Sequence, residues 1–274
     1  MKCFKVLEAD YSIICNANTG ARPLPYLLGE GTMDVMCPSP LHGRSFVAEK
    51  SDSGYRIIKG CGLSYTEHRF LNTTEMGDGC WGLLLEKDAI RDFVIGNEVA
   101  SLGIKTNVME YVMRIEEPVY IGKTKDNIYP YLLQYSAQTP WRIEDAPFMT
   151  KETIYKESSL WPTGSEPKYL YAANVLFKNL NVLHDNGILH NALTTHNYTW
   201  QLELLDFELA HSPNCPYENS DDHKYIPILK HREILHTYQI VSYIAGVLNE
   251  EVDCGLLSSV MGMYGFDFND YIVK

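Results

Sequence analysis

The sequence predicts an α+β fold in which a strand-rich first half with one helix precedes a helix-rich second half. The first observation is a hairpin signal, because two short β-prone runs at 45–49 and 55–59 flank the turn residues 51–54. The second is that apolar residues recur at helical spacing in three later segments. The third is a short loop with strand-like flanks, which lies between two long helices of the second half.

The first half continues with a helix and two more strands. The helix is predicted over residues 87–102, where Asp92 shares one face with the apolar side chains. Gly103 follows as its cap. The strands are predicted at 108–115 and 127–135, which are both rich in apolar and aromatic residues.

The second half has two long helices with a short, strand-flanked loop between them. The first is predicted from residue 169 to the pair Asn186-Gly187, which suits a helix C-terminus. Short strands at 188–193 and 201–207 are expected to flank a tight turn. The last helix is predicted over 231–249.

The polar segment 136–147, which contains two prolines, is the expected junction. We therefore predict one catalytic-type domain with two lobes, an N-terminal lobe at 1–135 and a C-terminal lobe at 136–274. The order of elements is that of a bilobal protein kinase, although the pattern alone leaves other α+β folds open.

Composition narrows the class of protein. The chain has 274 residues, is 45% hydrophobic and carries a formal net charge of -12, which disfavours nucleic acid as a partner. Its 7 cysteines are odd in number and show no CxxC spacing, so free thiols are expected rather than disulfides or a zinc ribbon. The N-terminus lacks an apolar signal core, and the apolar stretch 240–248 is too short to span a bilayer. We predict a cytoplasmic protein without a membrane partner.

Two oxygen-bearing side chains stand out in the loop region. Asn197 ends a loop that begins with His190, and Asp206 follows nine residues later. In a kinase, an Asn and an Asp delivered in this order hold the magnesium ions that bridge the phosphates of ATP. The plain alternative is a turn asparagine and an unrelated carboxylate at a strand end.

A cation for the phosphates is available at Lys59, which ends the second strand of the hairpin and precedes Gly60. Kinases pair such a lysine with a helix carboxylate to aim the ammonium at the phosphates. Asp92 is the candidate partner, and Glu98 is the alternative. The plain reading is an exposed lysine and an ordinary carboxylate near the start of a helix.

Several short blocks resemble, in order, motifs of the selenoprotein O family. Lys59-Gly60-Cys61-Gly62 with Tyr65 and Arg69 is similar to the family pattern KGxGxTxYSR, and HNALTTHN at 190–197 is similar to HGVxNTDN. The other blocks that resemble family motifs are 78–79, 91–93, 102–106, 206–207, 219–222 and 234–240. Each block is weak alone, whereas their order and spacing are specific.

The resemblance implies a kinase-like fold that binds ATP in an inverted pose and transfers AMP to a protein hydroxyl. It places the lysine–acid pair on Lys59 and Asp92 and the ligands of Mg²⁺, with Mn²⁺ as the alternative ion, on Asn197 and Asp206. Family positions that contact the nucleotide fall on Lys59, Gly60, Gly62 and Arg114. The protein substrate is not identified by the sequence.

Two departures concern the catalytic base. His196 occupies the position of the acid that serves as the family's proposed base, and Ala192 occupies the position of the ordinary kinase aspartate. An imidazole can accept a hydroxyl proton, so His196 is the candidate base. The alternatives are a catalytically silent pseudokinase that acts as a binding or scaffold protein, and a kinase that transfers a phosphoryl group. A zinc triad of His184, His190 and His196 is disfavoured, because a strand and a loop would point them apart.

Overall fold

The structure is a computed structural model, which describes residues 4–30, 44–51, 54–62, 82–121, 126–164, 166–217 and 224–270. The chain forms two compact units. The first comprises residues 1–97 and 107–141, and the second comprises residues 98–106 and 142–274. The motif residues Tyr65 and Arg69 and the blocks 78–79 and 219–222 lie outside the described residues.

The first unit is built on a five-stranded antiparallel sheet with the strand order β2-β6-β9-β5-β4. Two smaller antiparallel pairs, β1 with β3 and β7 with β8, accompany it. The strands of the described residues are β1 (Phe4–Glu8), β2 (Tyr11–Asn16), β3 (Tyr26–Glu30), β4 (Ser45–Ser51), β5 (Gly54–Lys59), β6 (Val108–Ile115), β7 (Val119–Ile121), β8 (Asp126–Ile128) and β9 (Tyr131–Ala137).

The centre of this sheet is apolar. Val112 and Met113 of β6 and Leu132 and Leu133 of β9 have no exposed surface, so successive residues on both faces of these strands are covered. The polar residue Gln134 of β9 is also fully buried, and its side-chain oxygen accepts the N–H of Leu24 at 2.7 Å. Burial of this apolar surface is the main stabilising contribution to the unit.

Helix α1 (Glu86–Ser101) lies between β5 and β6 in the chain and confirms the predicted helix. Ile95 and Val99 are fully buried and Asp92 is 1% exposed, as their common face predicts. The helix ends at Gly103, which has φ +78 and donates its N–H to the carbonyl of Ala100 at 3.0 Å.

The second unit is helical. Its helices are α2 (Lys151–Ser159), α3 (Lys168–Asp185), α4 (Ile226–Leu248) and α5 (Cys254–Met263), with short 3₁₀ helices at Ile143–Phe148, Thr195–Asn197 and Phe268–Asp270. Helices α3 and α4 pack against each other, and α5 packs against α3. The apolar stripe of α3, represented by Leu176, Leu180 and Leu183, has no exposed surface.

The α+β class is confirmed, with a strand-rich first part, in which α1 is the helix that the described residues show, and a helical second part. The hairpin strands agree with the prediction, as do α1, β6 and α3. Helix α4 begins five residues before the predicted residue 231, at Ile226. The described helices include none that is long and apolar enough to cross a membrane.

Two predictions about strands are wrong. The strand expected at 127–135 is two strands, β8 and β9, because Pro130 between them has no N–H for a ladder. The strands expected at 188–193 and 201–207 are irregular segments with single bridges. Their backbone turns at Asn191, Leu202 and Asp206, which have φ values of 66, 56 and 67, and an extended strand cannot contain left-handed residues.

Candidate functional site

Lys59 and Asp92 form a buried ion pair in the first unit. The Nζ atom of Lys59, at the end of β5, lies 2.6 Å from Oδ2 of Asp92 on α1. The two side chains are 3% and 2% exposed, so the plain reading of a solvated lysine and a solvated carboxylate is wrong. The alternative partner, Glu98, accepts a hydrogen bond from Asn214 at 2.8 Å instead.

The glycines after Lys59 adopt backbone conformations with positive φ and form backbone hydrogen bonds. Gly60 has φ +85, and a Cβ there would lie 2.5 Å from the carbonyl oxygen of Tyr131, so only glycine fits without a shift. Its N–H donates to the carbonyl of Arg44 at 2.8 Å, and the N–H of Gly62 donates to the carbonyl of Gly82 at 2.7 Å. Their expected contacts with a nucleotide stay a prediction.

Arg114 lies on the same face of the sheet as Lys59. The register places Arg114 opposite Tyr131 and Lys59 opposite Leu133, two residues further along β9. The guanidinium of Arg114 stacks over the ring of Tyr129 with 4.4 Å between its carbon and the ring centroid. Arg114 lines an open depression of about 710 Å³ together with Leu85, Glu86, Lys87, Ile128, Tyr129 and Tyr131. The predicted contact of Arg114 with the phosphates of a nucleotide stays a prediction.

In the second unit, His190 anchors the loop that follows α3. Its imidazole has no exposed surface, and Nε2 donates to the carbonyl of Leu205 at 2.8 Å. The ring also packs on Phe207 with a centroid separation of 5.1 Å. Burial lowers the pKa of His190, so the imidazole is held neutral. His190 is therefore a structural residue that ties the loop to the segment before Asp206.

Asn197 presents a buried oxygen. Its Nδ2 donates to the carbonyl of Ala192 at 2.8 Å, and its backbone N–H donates to the carbonyl of Thr194 at 3.0 Å. Its Oδ1 is buried and has no hydrogen-bond partner among the residues that the structure describes. Native proteins leave few buried polar atoms in this state, and a bound ion is one explanation.

The backbone brings Asp206 next to Asn197. The N–H of Leu205, the residue before Asp206, donates to the carbonyl of Asn197 at 2.9 Å. Asp206 itself has φ 67, a left-handed backbone conformation that ends any extended course of the segment. A carboxylate oxygen and an amide oxygen are both ligands that a hard divalent cation such as Mg²⁺ accepts. That Asn197 and Asp206 bind one metal ion together stays a prediction.

His196, the candidate base, lies next to the acid Glu144. Its Nδ1 is 3.2 Å from Oε2 of Glu144, and the two side chains are 35% and 15% exposed. Its carbonyl accepts a hydrogen bond from Nη1 of Arg142 at 2.6 Å. His184 instead pairs with Glu233 at 2.8 Å, so the three histidines of the disfavoured zinc triad have three different partners.

Glu233 on α4 is a site residue that the sequence analysis missed. It has no exposed surface, and its Oε1 accepts the backbone N–H of Asn191 at 2.6 Å while Oε2 pairs with His184. Arg232 adds a hydrogen bond from Nη2 to the carbonyl of Asn191 at 2.9 Å. An acid next to the apolar stripe of a predicted helix was the available signal. Glu144 and Arg142 offered no comparable signal.

The chain is similar in structure to protein kinase domains. One is the Toxoplasma gondii specific rhoptry antigen kinase domain, at 8% identity and a TM-score of 0.37, with 78% of this chain and 73% of that chain covered. Another is a Stt7 homolog from Micromonas algae soaked with ATP, at 10% identity and a TM-score of 0.40, with 86% and 80% covered. No family model and no curated protein matches the sequence, so membership of the selenoprotein O family stays a prediction.

Proposed function

We propose that this chain binds ATP with Mg²⁺ in a kinase-like site and transfers the adenylyl group to a hydroxyl of a protein. The buried pair of Lys59 and Asp92, with 2.6 Å between Nζ and Oδ2, carries this proposal. Taking two charges out of water costs several kcal/mol per ion, so a buried pair is a weak stabilising device. Protein kinases keep the same pair because it aims an ammonium at the phosphates of ATP.

Asn197 and Asp206 are the proposed ligands of Mg²⁺. The orphaned Oδ1 of Asn197 and the carboxylate of Asp206 supply oxygen atoms, which this cation prefers. The bound cation would neutralise charge on the triphosphate. The proposal requires that Lys59 and this ligand pair act on the same triphosphate, within one domain composed of the two lobes predicted at 1–135 and 136–274.

In the proposed reaction, the oxygen of a protein hydroxyl attacks the α-phosphorus of ATP. The bond from that phosphorus to the bridging oxygen of pyrophosphate breaks, and pyrophosphate leaves with the bonding electrons. The hydroxyl proton passes to His196. The resemblance to the selenoprotein O family supports transfer of AMP over transfer of the γ-phosphoryl group.

The second candidate function is binding without catalysis. Ala192 stands where an ordinary kinase has its catalytic aspartate, and its carbonyl is engaged by Nδ2 of Asn197 at 2.8 Å. A chain that kept its nucleotide site without a competent base would act as a pseudokinase that presents a surface to a partner. Transfer of a γ-phosphoryl group is the third outcome of the experiment.

The experiment has two steps. A thermal melt with ATP and Mg²⁺ tests binding, because ligand at about 100 times its Kd stabilises the folded state by about 2.7 kcal/mol. Incubation with α-labelled or γ-labelled ATP, with the chain itself and casein as acceptors, then separates the reactions. We expect label from the α-position only. Label from the γ-position would show a kinase, and binding without label would show a pseudokinase.

Asp206→Asn is the variant that ties the label to this site, since it removes a negative charge and keeps the shape of the side chain. Glu251→Gln, at an exposed position after α4, is the matched control. We expect Asp206→Asn to abolish labelling and Glu251→Gln to leave it unchanged. Labelling that survives in Asp206→Asn would contradict the assignment of the metal site. The absence of any thermal shift would contradict the proposed transfer and would remove the nucleotide from both candidate functions.

A further inference from the structure

We propose that Glu144 is a positioning residue that holds His196 in the tautomer with hydrogen on Nδ1, so that the ring's lone pair lies on Nε2. This inference deepens the proposed function and rests on it for the role of the imidazole as a base. No sequence motif marked Glu144, because it lies more than fifty residues from His196 in the chain. The structure nevertheless places its Oε2 3.2 Å from Nδ1 of His196.

The chemistry of the pair favours one tautomer. A carboxylate can only accept a hydrogen bond, so the facing ring nitrogen must carry the hydrogen. At 3.2 Å the separation is within the range for an N–H donor. In a neutral imidazole the other nitrogen then holds the lone pair. A base oriented by a third group in this way is the arrangement that nucleophilic enzymes use repeatedly.

The backbone holds the two side chains in register. The N–H of Ile143 donates to the carbonyl of Tyr198 at 2.9 Å, and Arg142 and Thr199 form an antiparallel bridge. The side chain of Arg142 also reaches back to the carbonyl of His196 at 2.6 Å. The segment that carries Glu144 and the segment that carries His196 are therefore held together by contacts next to the pair.

A second acid stabilises the start of the 3₁₀ helix that bears Glu144. The Oδ2 of Asp145 accepts the N–H of Arg142 at 2.8 Å, and Asp145 has no exposed surface. The neighbouring acid Glu144 contacts His196 instead. With 35% of its side chain exposed, His196 is accessible to a molecule outside the loop, as a residue that meets a substrate hydroxyl must be.

Within the proposed reaction, Nε2 of His196 accepts the hydroxyl proton as the hydroxyl oxygen bonds to the α-phosphorus and pyrophosphate leaves. The ring then carries hydrogen on both nitrogens, and the carboxylate of Glu144 stabilises the positive charge that develops. Glu144 keeps its own charge throughout and does not take the proton. Its role is to choose which nitrogen accepts.

The tautomer can be measured on the full-length protein by nitrogen NMR of chain labelled with ¹⁵N-histidine, under conditions where imidazoles are neutral. His196→Gln identifies the signals of His196 by their loss. We expect a protonated Nδ1 and an unprotonated Nε2 in the wild-type chain. In Glu144→Leu, which offers no acceptor, the hydrogen is expected to move to Nε2. Glu144→Gln retains an acceptor oxygen and is expected to give a mixture.

A wild-type ring with hydrogen on Nε2 alone, or on both nitrogens, would overturn the inference. So would an unchanged tautomer in Glu144→Gln and Glu144→Leu. If Glu144→Leu fails to fold, Glu144→Gln still decides the question, since it matches the glutamate in size. Glu251→Gln is again the control and is expected to leave the His196 signals in place.

The rate of AMP transfer provides a separate reading. Loss of the whole base costs roughly 10²–10⁴-fold, so we expect Glu144→Gln to lower kcat by about 10-fold with KM for ATP unchanged. In a His196→Gln background the same change is expected to have no further effect, because the group it positions is gone. A full additional loss there would contradict the positioning role. If the wild-type chain transfers no AMP, the proposed function fails while the NMR result still decides the tautomer.

Discussion

The ammonium of Lys59 lies 2.6 Å from the carboxylate of Asp92, and both side chains are nearly inaccessible to water. Asp92 is one methylene shorter than the glutamate of ordinary kinases. Strand β5 and helix α1 therefore lie close together at this pair. The pair belongs to the interior of the first unit, and its ammonium is also the candidate group that binds the phosphates of ATP.

Removing one member of this pair is expected to destabilise the protein strongly. Asp92→Ala leaves a buried ammonium without its carboxylate, and we expect the free energy of unfolding to fall by about 3–5 kcal/mol. The double variant Lys59→Met/Asp92→Leu removes both charges and is expected to recover most of that loss. Urea unfolding of the two variants measures the difference. Equal stability of Asp92→Ala and the wild-type chain would contradict the buried ion pair.

The same double variant separates folding from nucleotide binding. Because Lys59→Met/Asp92→Leu has no ammonium for the phosphates, we expect it to remain folded and to lose the thermal shift produced by ATP. The melt is measured with and without nucleotide on the same sample. A folded double variant that keeps the full shift would show that Lys59 does not contact ATP.

Asn197 is expected to determine how strongly the stabilisation by ATP depends on the metal ion. Asn197→Leu removes the orphaned Oδ1, whereas Asn197→Asp keeps an oxygen in its place. In the wild-type chain, EDTA is expected to reduce the stabilisation by ATP. We expect Asn197→Leu to lose this metal-dependent part of the stabilisation and Asn197→Asp to retain it. Circular dichroism confirms that both variants are folded. Equal responses to EDTA in the wild type and Asn197→Leu would remove Asn197 from the ligand set.

Gly60 and Gly103 form a matched pair of glycines with φ values of +85 and +78. A left-handed alanine costs roughly 1–2 kcal/mol at either position. At Gly103 nothing lies within 4 Å of the added Cβ, whereas at Gly60 the carbonyl oxygen of Tyr131 lies 2.5 Å away. We therefore expect Gly60→Ala to lose at least twice as much stability as Gly103→Ala in denaturant unfolding. A smaller loss at Gly60 would contradict this close approach.

His190 is expected to make the fold sensitive to acid. Burial lowers the pKa of its imidazole in the folded state, against opposing effects of Glu233 and of the hydrogen bond to Leu205. Above pH ~6.5 both the folded and the unfolded states hold it neutral. As the pH falls below that value, the unfolded state takes up a proton that the folded state does not, so stability falls.

The matched variant is His190→Gln, whose side-chain amide can replace the donor on Nε2. Below pH ~6.5 the stability of the wild-type chain is expected to fall more steeply than that of the variant, by at most about 1.4 kcal/mol per pH unit. Urea unfolding over this pH range measures both slopes. Parallel curves would show that His190 titrates alike in the folded and unfolded states.

The sequence was sufficient where a residue's chemistry and its place in a regular element coincide. Lys59 stands at the end of an apolar strand and Asp92 on the apolar face of a helix, so each buried charge needed a partner, and the structure pairs them. Asn197 and Asp206 were likewise marked by residue type and spacing in the loop. Whether they act together with Lys59 stays a prediction.

The parts that the sequence did not reveal depend on packing between distant segments. The runs 188–193 and 201–207 are apolar because they are buried in bridged loops, and their left-handed residues cannot be recognised from apolar content.

Helix α2 is mostly polar and begins at a capping residue, Thr150, whose Oγ1 accepts the N–H of Thr153 at 3.2 Å. Such a helix lacks the apolar periodicity on which the prediction relied.

The carboxylate of Glu233 contacts two segments. It pairs with His184 in the last turn of α3, and it accepts the backbone N–H of Asn191 at the start of the loop. Replacing Glu233 would therefore release two contacts of α4 at once, one to the end of α3 and one to the loop that leads to Asn197.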